Sequence, residues 1–285
     1  MTERATETVT STSADVAAPR ANPAGPVAII VAMEAELRHL TDHLVAVDEV
    51  VHGPWRDRRM RHGDLDLIVL CCGIGMINAA AGAEHLCDRW APRAMINFGC
   101  AGAHTRDLLP GDVVVGSATV NHGAFHVLAS GETYFPDAEY HVTGETVVSN
   151  ERPCDPALLA LAGEAAAGYE PDPWPRQFGW PDGIPHRAGR VATGVVSSAD
   201  IWTQFHDRID QLHARHRSLC EDMEAAAMNR VCGRWGVPFL TVKDISNNEF
   251  HAVSELQGDI EVLPASEIGR RAAGLVMRVL DRMGA

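Results

Sequence analysis

Residues 26–36 read PVAIIVAMEAE, and this stretch decides how the chain is read. An apolar run without alternation predicts a short strand covered on both faces. The acidic residues directly after it predict a polar turn that opens a helix. In an open α/β sheet the carboxyl end of a strand faces the crevice where ligands bind, so Met33-Glu34-Ala35-Glu36 is the first candidate site.

The same grammar recurs outward from there. Strands are predicted at 26–32, 67–72, 94–99, 112–115, 190–196 and 238–245, and helices at 34–44, 76–90, 156–167, 201–215, 221–235 and 267–282. Alternation of the two predicts a mostly parallel, helix-covered sheet. With 285 residues, 46% of them hydrophobic, one α/β domain over 26–285 is expected. Residues 1–25 read as a disordered tail. Residues 130–189, rich in Pro, Gly and aromatic side chains in irregular order, read as a long surface excursion.

Composition excludes several classes. The 38 acidic against 24 basic residues give a net charge of −14, which repels a phosphate backbone, so no nucleic-acid partner is expected. No apolar run reaches the roughly 18 residues needed to cross a bilayer, and the first 25 residues lack the apolar stretch of a secretory signal. Seven cysteines without CxxC spacing read as reduced thiols of a cytoplasmic protein, with no disulfide framework and no zinc site. His122 and His126 in NHGAFH lack a third metal ligand and read as polar lining, so no metal and no cofactor are expected. His213 and His216 lie on a charged helix and are expected to be solvated.

Three more segments carry polar groups at strand or helix ends: Cys100-Ala101-Gly102, the run from Lys243 to Asn248, and Glu221-Asp222-Met223-Glu224, which is predicted to open a helix. Gly73-Ile74-Gly75 lacks the third glycine of a dinucleotide fingerprint and reads as a tight turn. Acids in a first helical turn commonly serve only the helix dipole. The joint presence of AMEAE, EDMEAA and KDISN argues for more.

Taken in order, the segments at Ala32 to Glu36, Gly73 to Gly75, Asn97 to Gly102, Asp222 to Glu224 and Lys243 to Asn247 resemble the purine nucleoside phosphorylase superfamily. Within it they look most like methylthioadenosine/S-adenosylhomocysteine nucleosidases and futalosine hydrolases. The resemblance covers residues 26 to about 250 and fails across 130–189. It implies a three-layer α/β sandwich around a twisted mixed sheet, usually a homodimer or higher homo-oligomer, that hydrolyses the N-glycosidic bond of a purine nucleoside.

Carried over by position, Glu36 resembles the residue that orients and deprotonates the attacking water. Glu224 resembles the carboxylate that holds the ribose hydroxyls, with Asp222 beside it and Met223 packing on the sugar. Met33, Ala101 and Gly102 fall at positions that line the site. The stretch ending in Ile201-Trp202 is similar to the segment that clamps the purine. Three residues depart from the pattern. Lys243 stands where Arg is usual, Cys100 where the hydrolases often have Ser, and Asn247 where the methylthioadenosine enzymes carry a proton-donating Asp. A carboxamide cannot titrate, so Asn247 acts on the base by hydrogen bonding alone. Both 6-oxo and 6-aminopurines remain open.

Two alternatives stand beside hydrolysis. A phosphorylase would need cations around phosphate, and the first loop is acidic, with Arg106 the one nearby candidate. A non-catalytic nucleoside-binding protein on the same fold is the other, since fold does not fix function.

Overall fold

The structure is a computed structural model that describes residues 21–137, 139–142, 145–251 and 264–284. Residues 1–20 of the expected tail lie outside the described residues, whereas Asn22 and Gly25 close a turn before the first strand. The strands are β1 (Val27–Val31), β2 (Val45–His52), β3 (Trp55–His62), β4 (Leu65–Cys71), β5 (Ala94–Ala103), β6 (Val113–Asn121), β7 (His126–Val127), β8 (Thr133–Tyr134), β9 (Glu139–Val142), β10 (Glu145–Val148), β11 (Glu151–Pro153), β12 (Val191–Ser198), β13 (Ser218–Asp222) and β14 (Phe239–Asn247). The helices are α1 (Glu34–Thr41), α2 (Met76–Trp90), α3 (Pro156–Ala166), α4 (His206–His216), α5 (Ala225–Trp235) and α6 (Arg270–Met283).

β1 lies parallel between β4 and β5, and every one of its residues is buried. Its odd-numbered side chains, Val27, Ile29 and Val31, pack with α1, α3 and α6, while Ala28 and Ile30 pack with α2 and α5 on the opposite face. Period-two alternation of a strand apolar on both sides thus makes the three layers. The fold class is as expected, a single-domain α/β sandwich.

Beyond β5 the sheet closes on itself. β5 pairs with β14, β14 with β6, β6 with β12, β12 with β13, and β13 returns to β5. Pairings of both senses make the sheet mixed, as the resemblance implies, instead of mostly parallel as the alternation suggested. Closing the ring at Gly102 on β5 and Glu221 on β13 brings the ends of β5, β12, β13 and β14 to one mouth.

Several elements differ from expectation. Residues 218–222 form β13 and not the start of a helix, because Leu219 and Cys220 pack into the closed ring; the helix begins only at Ala225. α4 begins at His206, since the preceding loop is pinned by Glu221, which accepts from Thr203 N (2.9 Å) and Oγ1 (2.8 Å). The hairpin β2–β3, which no predicted strand anticipates, carries charge instead of an apolar run; its cross-strand pairs Arg56–Glu49 and Arg59–Asp48 face solvent.

The segment expected to run over the surface holds the β9–β10 hairpin, β8, β11 and α3. It also buries Trp174 completely and Trp180 nearly so, against Leu109, Ile268, Met33 and Cys100. Arg187 grips the buried Asp112 with both terminal nitrogens (2.6 and 2.7 Å), and Arg190 N donates to the same carboxylate. His216 is buried with its ring edge-on to Phe135 and not solvated as expected, whereas His213 is half-buried, with Nδ1 2.9 Å from the Ser218 carbonyl. No helix among the described residues is long and apolar enough to cross a membrane.

Candidate active site

Glu36 sits in the first turn of α1, yet its carboxylate turns back over the end of β5. One oxygen accepts from Cys100 N (2.8 Å) and the other from Met33 N (3.3 Å). A Cβ on Gly99 would stand 2.7 Å from Glu36 Oε1, so a side chain there would push the carboxylate from its place over β5. Burial raises the Glu36 pKa, against the pull of the Cys100 amide and of Lys243. Glu34, two residues earlier, is exposed and gripped by Arg58 through both oxygens (2.8 and 2.9 Å). The acidic first loop therefore sends only one carboxylate inward.

Glu224 lies between β13 and α5. Its Oε1 accepts from Gly75 N (2.9 Å) and its Oε2 from Met223 N (3.2 Å). The GIG turn after β4 is thus a tight turn, as expected, and it also has a task that its sequence does not reveal: it supplies the main-chain donor that holds Glu224. Gly75 has φ +102°, and a Cβ there would come 2.7 Å from Asp200 Oδ1, which accepts from Met76 N (2.7 Å). Burial and the neighbouring Asp222 raise the Glu224 pKa to about 7, with Lys243 opposing.

Lys243 joins the two. Its ammonium, fully buried, meets Asp222 Oδ2 at 2.7 Å. Burial disfavours its charge, but Asp222, Glu224 and Glu36 together outweigh that and raise its pKa, so it is a permanent cation. Asp222 has no oxygen to spare: it also accepts from Ser198 Oγ, Ala225 N and, through these, ties β12 to α5. Asp222 is therefore the direct partner of one buried cation, whose charge also acts on Glu36 and Glu224. The Cys100 thiol beside them is pushed well up by burial and by Glu36, which keeps it protonated.

At the far end of β14, Asn247 Nδ2 donates to Glu249 Oε1 (2.8 Å) and its Oδ1 accepts from Ser246 Oγ (2.9 Å). The amide lies over Gly102, where a Cβ would come 3.3 Å from Nδ2. Ser246 Oγ also reaches the carbonyl of the buried Ala101 (3.3 Å). Asp244 points away from Lys243, to Arg271 N (3.0 Å) on α6, as alternation of neighbours requires, while a register shift between Ile245 and Asn247 interrupts the alternation before Asn247.

Ile201 and Trp202 are about equally exposed, at 40% each, and flank the loop pinned by Glu221. Glu221 itself forms a buried cluster with His122 Nε2 (2.9 Å) and His104 Nε2 (3.5 Å). Burial works to raise its pKa, but the two imidazoles prevail and hold it low. This cluster escaped the sequence reading, because its members are scattered over three strand ends. His126 is exposed, 6.1 Å from the Tyr134 ring. Among the described residues no group of three or more His, Cys, Asp or Glu side chains is disposed to hold a metal ion. A cavity of about 500 Å³ between α1 and α6 is lined by His39, Tyr169, Arg270 and Arg271 among others, and by none of Glu36, Glu224, Lys243 and Asn247.

A model of the phosphorylase superfamily matches residues 26–281, so the chain belongs to that superfamily. The 5′-methylthioadenosine/S-adenosylhomocysteine nucleosidase of Geobacillus thermodenitrificans is 31% identical over 221 residues, covering 77% of this chain and 83% of that protein. The enzyme of the same description from Chromohalobacter salexigens is 31% identical over 223 residues, covering 78% and 83%. Among solved structures, futalosine hydrolase of Helicobacter pylori superposes with a TM-score of 0.70 at 19% identity, over 90% of this chain and 98% of that one, a likeness of fold. An S-adenosylhomocysteine nucleosidase from Streptococcus pyogenes, in complex with 5-methylthiotubericidin, gives 0.68 at 25% identity over 92% and 98%.

Proposed function

We propose that this chain is a nucleosidase that hydrolyses the N-glycosidic bond of a purine nucleoside modified at the 5′ position. The observation that carries this reading is that Glu36 and Glu224, far apart in sequence, are both buried, held by main-chain amides and under the influence of the same buried cation, Lys243. Cleavage of C1′–N9 builds positive charge on the sugar and negative charge on the departing base. Glu224, held by two main-chain amides, receives the ribose hydroxyls and stabilises the cationic sugar. Glu36 takes a proton from water as the oxygen bonds to C1′; its raised pKa makes it a stronger base than an ordinary carboxylate, a role typically worth about 10²–10⁴-fold. Lys243 keeps both acids ionisable in a buried place and orders the water side. Asp222 acts through Lys243, and Met223, Cys100 and Gly102 form walls.

Phosphate is disfavoured as the nucleophile, because the nearby cations are committed. Lys243 is bound to Asp222, and Arg106 is exposed, paired with Asp210 (3.0 Å) and laid over Phe250. Exposed Ile74, Ile77, Ile201, Trp202 and Phe205 stand on the turn and first residues of α2 and on the loop after β12, which the Asp200–Met76 bond joins, an apolar patch that favours a homo-oligomer with its interface beside the site. Free thiols at all seven cysteines favour a reducing, cytoplasmic setting.

The test is incubation with 5′-methylthioadenosine, S-adenosylhomocysteine, futalosine and inosine, with and without phosphate. Release of free base at a rate independent of phosphate is expected. Release only with phosphate would make the chain a phosphorylase, and binding without any release would make it a nucleoside-binding protein.

A further inference from the structure

We propose that Glu249 is the positioning residue of the base end: it fixes the orientation of the Asn247 amide and sets a buried negative charge behind it that favours a proton at purine N7. The inference rests on the nucleosidase reading and deepens it. An amide at the end of β14 has two orientations related by a half-turn, with opposite donor and acceptor faces. A carboxylate only accepts, so the contact of Glu249 Oε1 with Asn247 at 2.8 Å puts the amide nitrogen on that side, and Ser246 Oγ, donating at 2.9 Å, holds the oxygen on the other. One N–H and one lone pair of the amide remain for a base.

Glu249 is not a loose surface acid. It is 2% exposed. Its carbonyl faces His206 Nε2 at 2.7 Å, and Asn248 before it donates to the carbonyls of Thr105 (2.9 Å) and Leu108 (2.6 Å), tying this turn to the chain that leaves β5. The amide it orients lies on Gly102, two residues past the Cys100 amide that binds Glu36, so base end and water end share one stretch of β5.

Asn247 has no proton to give, and the departing purine needs one. In the step proposed, the C1′–N9 electron pair passes to the purine as the water oxygen bonds to C1′. Glu36 takes the water proton, and a solvent proton arrives at N7. Glu36 later returns its proton to solvent, so the sum is nucleoside plus water to sugar plus neutral base. A negative charge held behind the amide raises the proton affinity of N7 and makes the amide oxygen a better acceptor from N7–H. It does so without being the donor.

The experiment compares the wild type with Glu249→Gln, which keeps the size and an acceptor but removes the charge, and with Glu249→Ala. Each is assayed on inosine and on 7-methylinosine, whose ring is already cationic at N7 and leaves without a further proton. Expected for Glu249→Gln is a kcat on inosine lower by about 10- to 100-fold, the equivalent of one to two pKa units at N7, with KM within about threefold. On 7-methylinosine the rate should hold within about twofold. Because both substrates are read on one sample, their ratio does not depend on how much of a variant is folded, and Glu249→Ala must shift it the same way. Equal losses on both substrates, or no loss on inosine, overturn the proposal. So does refusal of 7-methylinosine by a wild type that cleaves inosine, since a charge facing N7 attracts a cationic ring. A wild type that releases base from no purine nucleoside overturns the nucleosidase reading itself, a result distinct from an unchanged ratio.

Discussion

The water end of the site and its base end handle charge in opposite ways. Lys243 pairs with Asp222 and its charge reaches Glu36 and Glu224, while burial lifts both of these toward the range where a carboxylate works as a base. At Asn247 the side chain is a neutral amide, and the carboxylate of Glu249 stands one hydrogen bond behind it. The contrast teaches that a site can hold its acid–base chemistry at one end and leave the other to hydrogen bonding and a remote field. It also separates what mutations at each end should do.

The comparison breaks most sharply at Glu36. Glu36→Gln should lower kcat by about 10²–10⁴-fold while KM moves little, because the general base is lost and the sugar contacts are not; steady-state release of base measures it. A variant near the wild-type rate would remove Glu36 from the chemistry. Next comes Lys243→Met, which leaves Asp222 and its neighbours buried without a counter-charge. A loss of about 3–5 kcal/mol in urea unfolding is expected, and an unchanged midpoint would show that the three acids do not depend on that cation. Glu224→Gln keeps an acceptor for Gly75 N but removes a charged hydrogen-bonding partner from the ribose, so kcat/KM should fall by about 10- to 100-fold. Unlike Glu36→Gln, it should raise KM as well.

The pH profile sharpens the contrast further. Glu36 acts ionised, so kcat should fall as pH drops, and the raised pKa starts that fall above the ordinary carboxylate range. The base end should add no limb from Asn247. The smallest effect concerns the back of β14. Burial raises the Asp244 pKa from 3.8 to about 7 despite Arg271. The folded chain then keeps a proton that the unfolded chain releases, so this stability is whole below pH 3.8 and is lost as pH rises to about 7. Asp244→Asn should match the wild type in Tm near pH 4 and exceed it by about 2–4 °C for each kcal/mol so recovered at pH 8. A gap that does not widen with pH would contradict the assignment.

Much of this was legible in the chain. The strands of the sandwich announce themselves as unbroken apolar runs, and α2 spans the residues its pattern predicts. Glu36, Glu224 and Asn247 stand at strand and helix ends, whereas Lys243 lies in the middle of β14. Other parts carry no such signal. β13 has too few apolar residues to be told from a helix start, and it becomes a strand only because β5 and β12 close around it. Trp174 and Trp180 lie in a stretch without periodicity, and their burial depends on the Arg187–Asp112 pair that straps the segment down. Glu249 reads as one more polar residue after a strand until the turn folds it back onto Asn247.

What the sequence by itself determined is which residue types stand at each strand end, because hydrophobic period and local turn chemistry are properties of neighbours along the chain. What only the tertiary structure decided is which of those residues meet: an aspartate on a buried lysine, a glycine turn on Glu224, a carboxylate behind an amide. Such meetings are set by the register and closure of the sheet, and no local spacing encodes them.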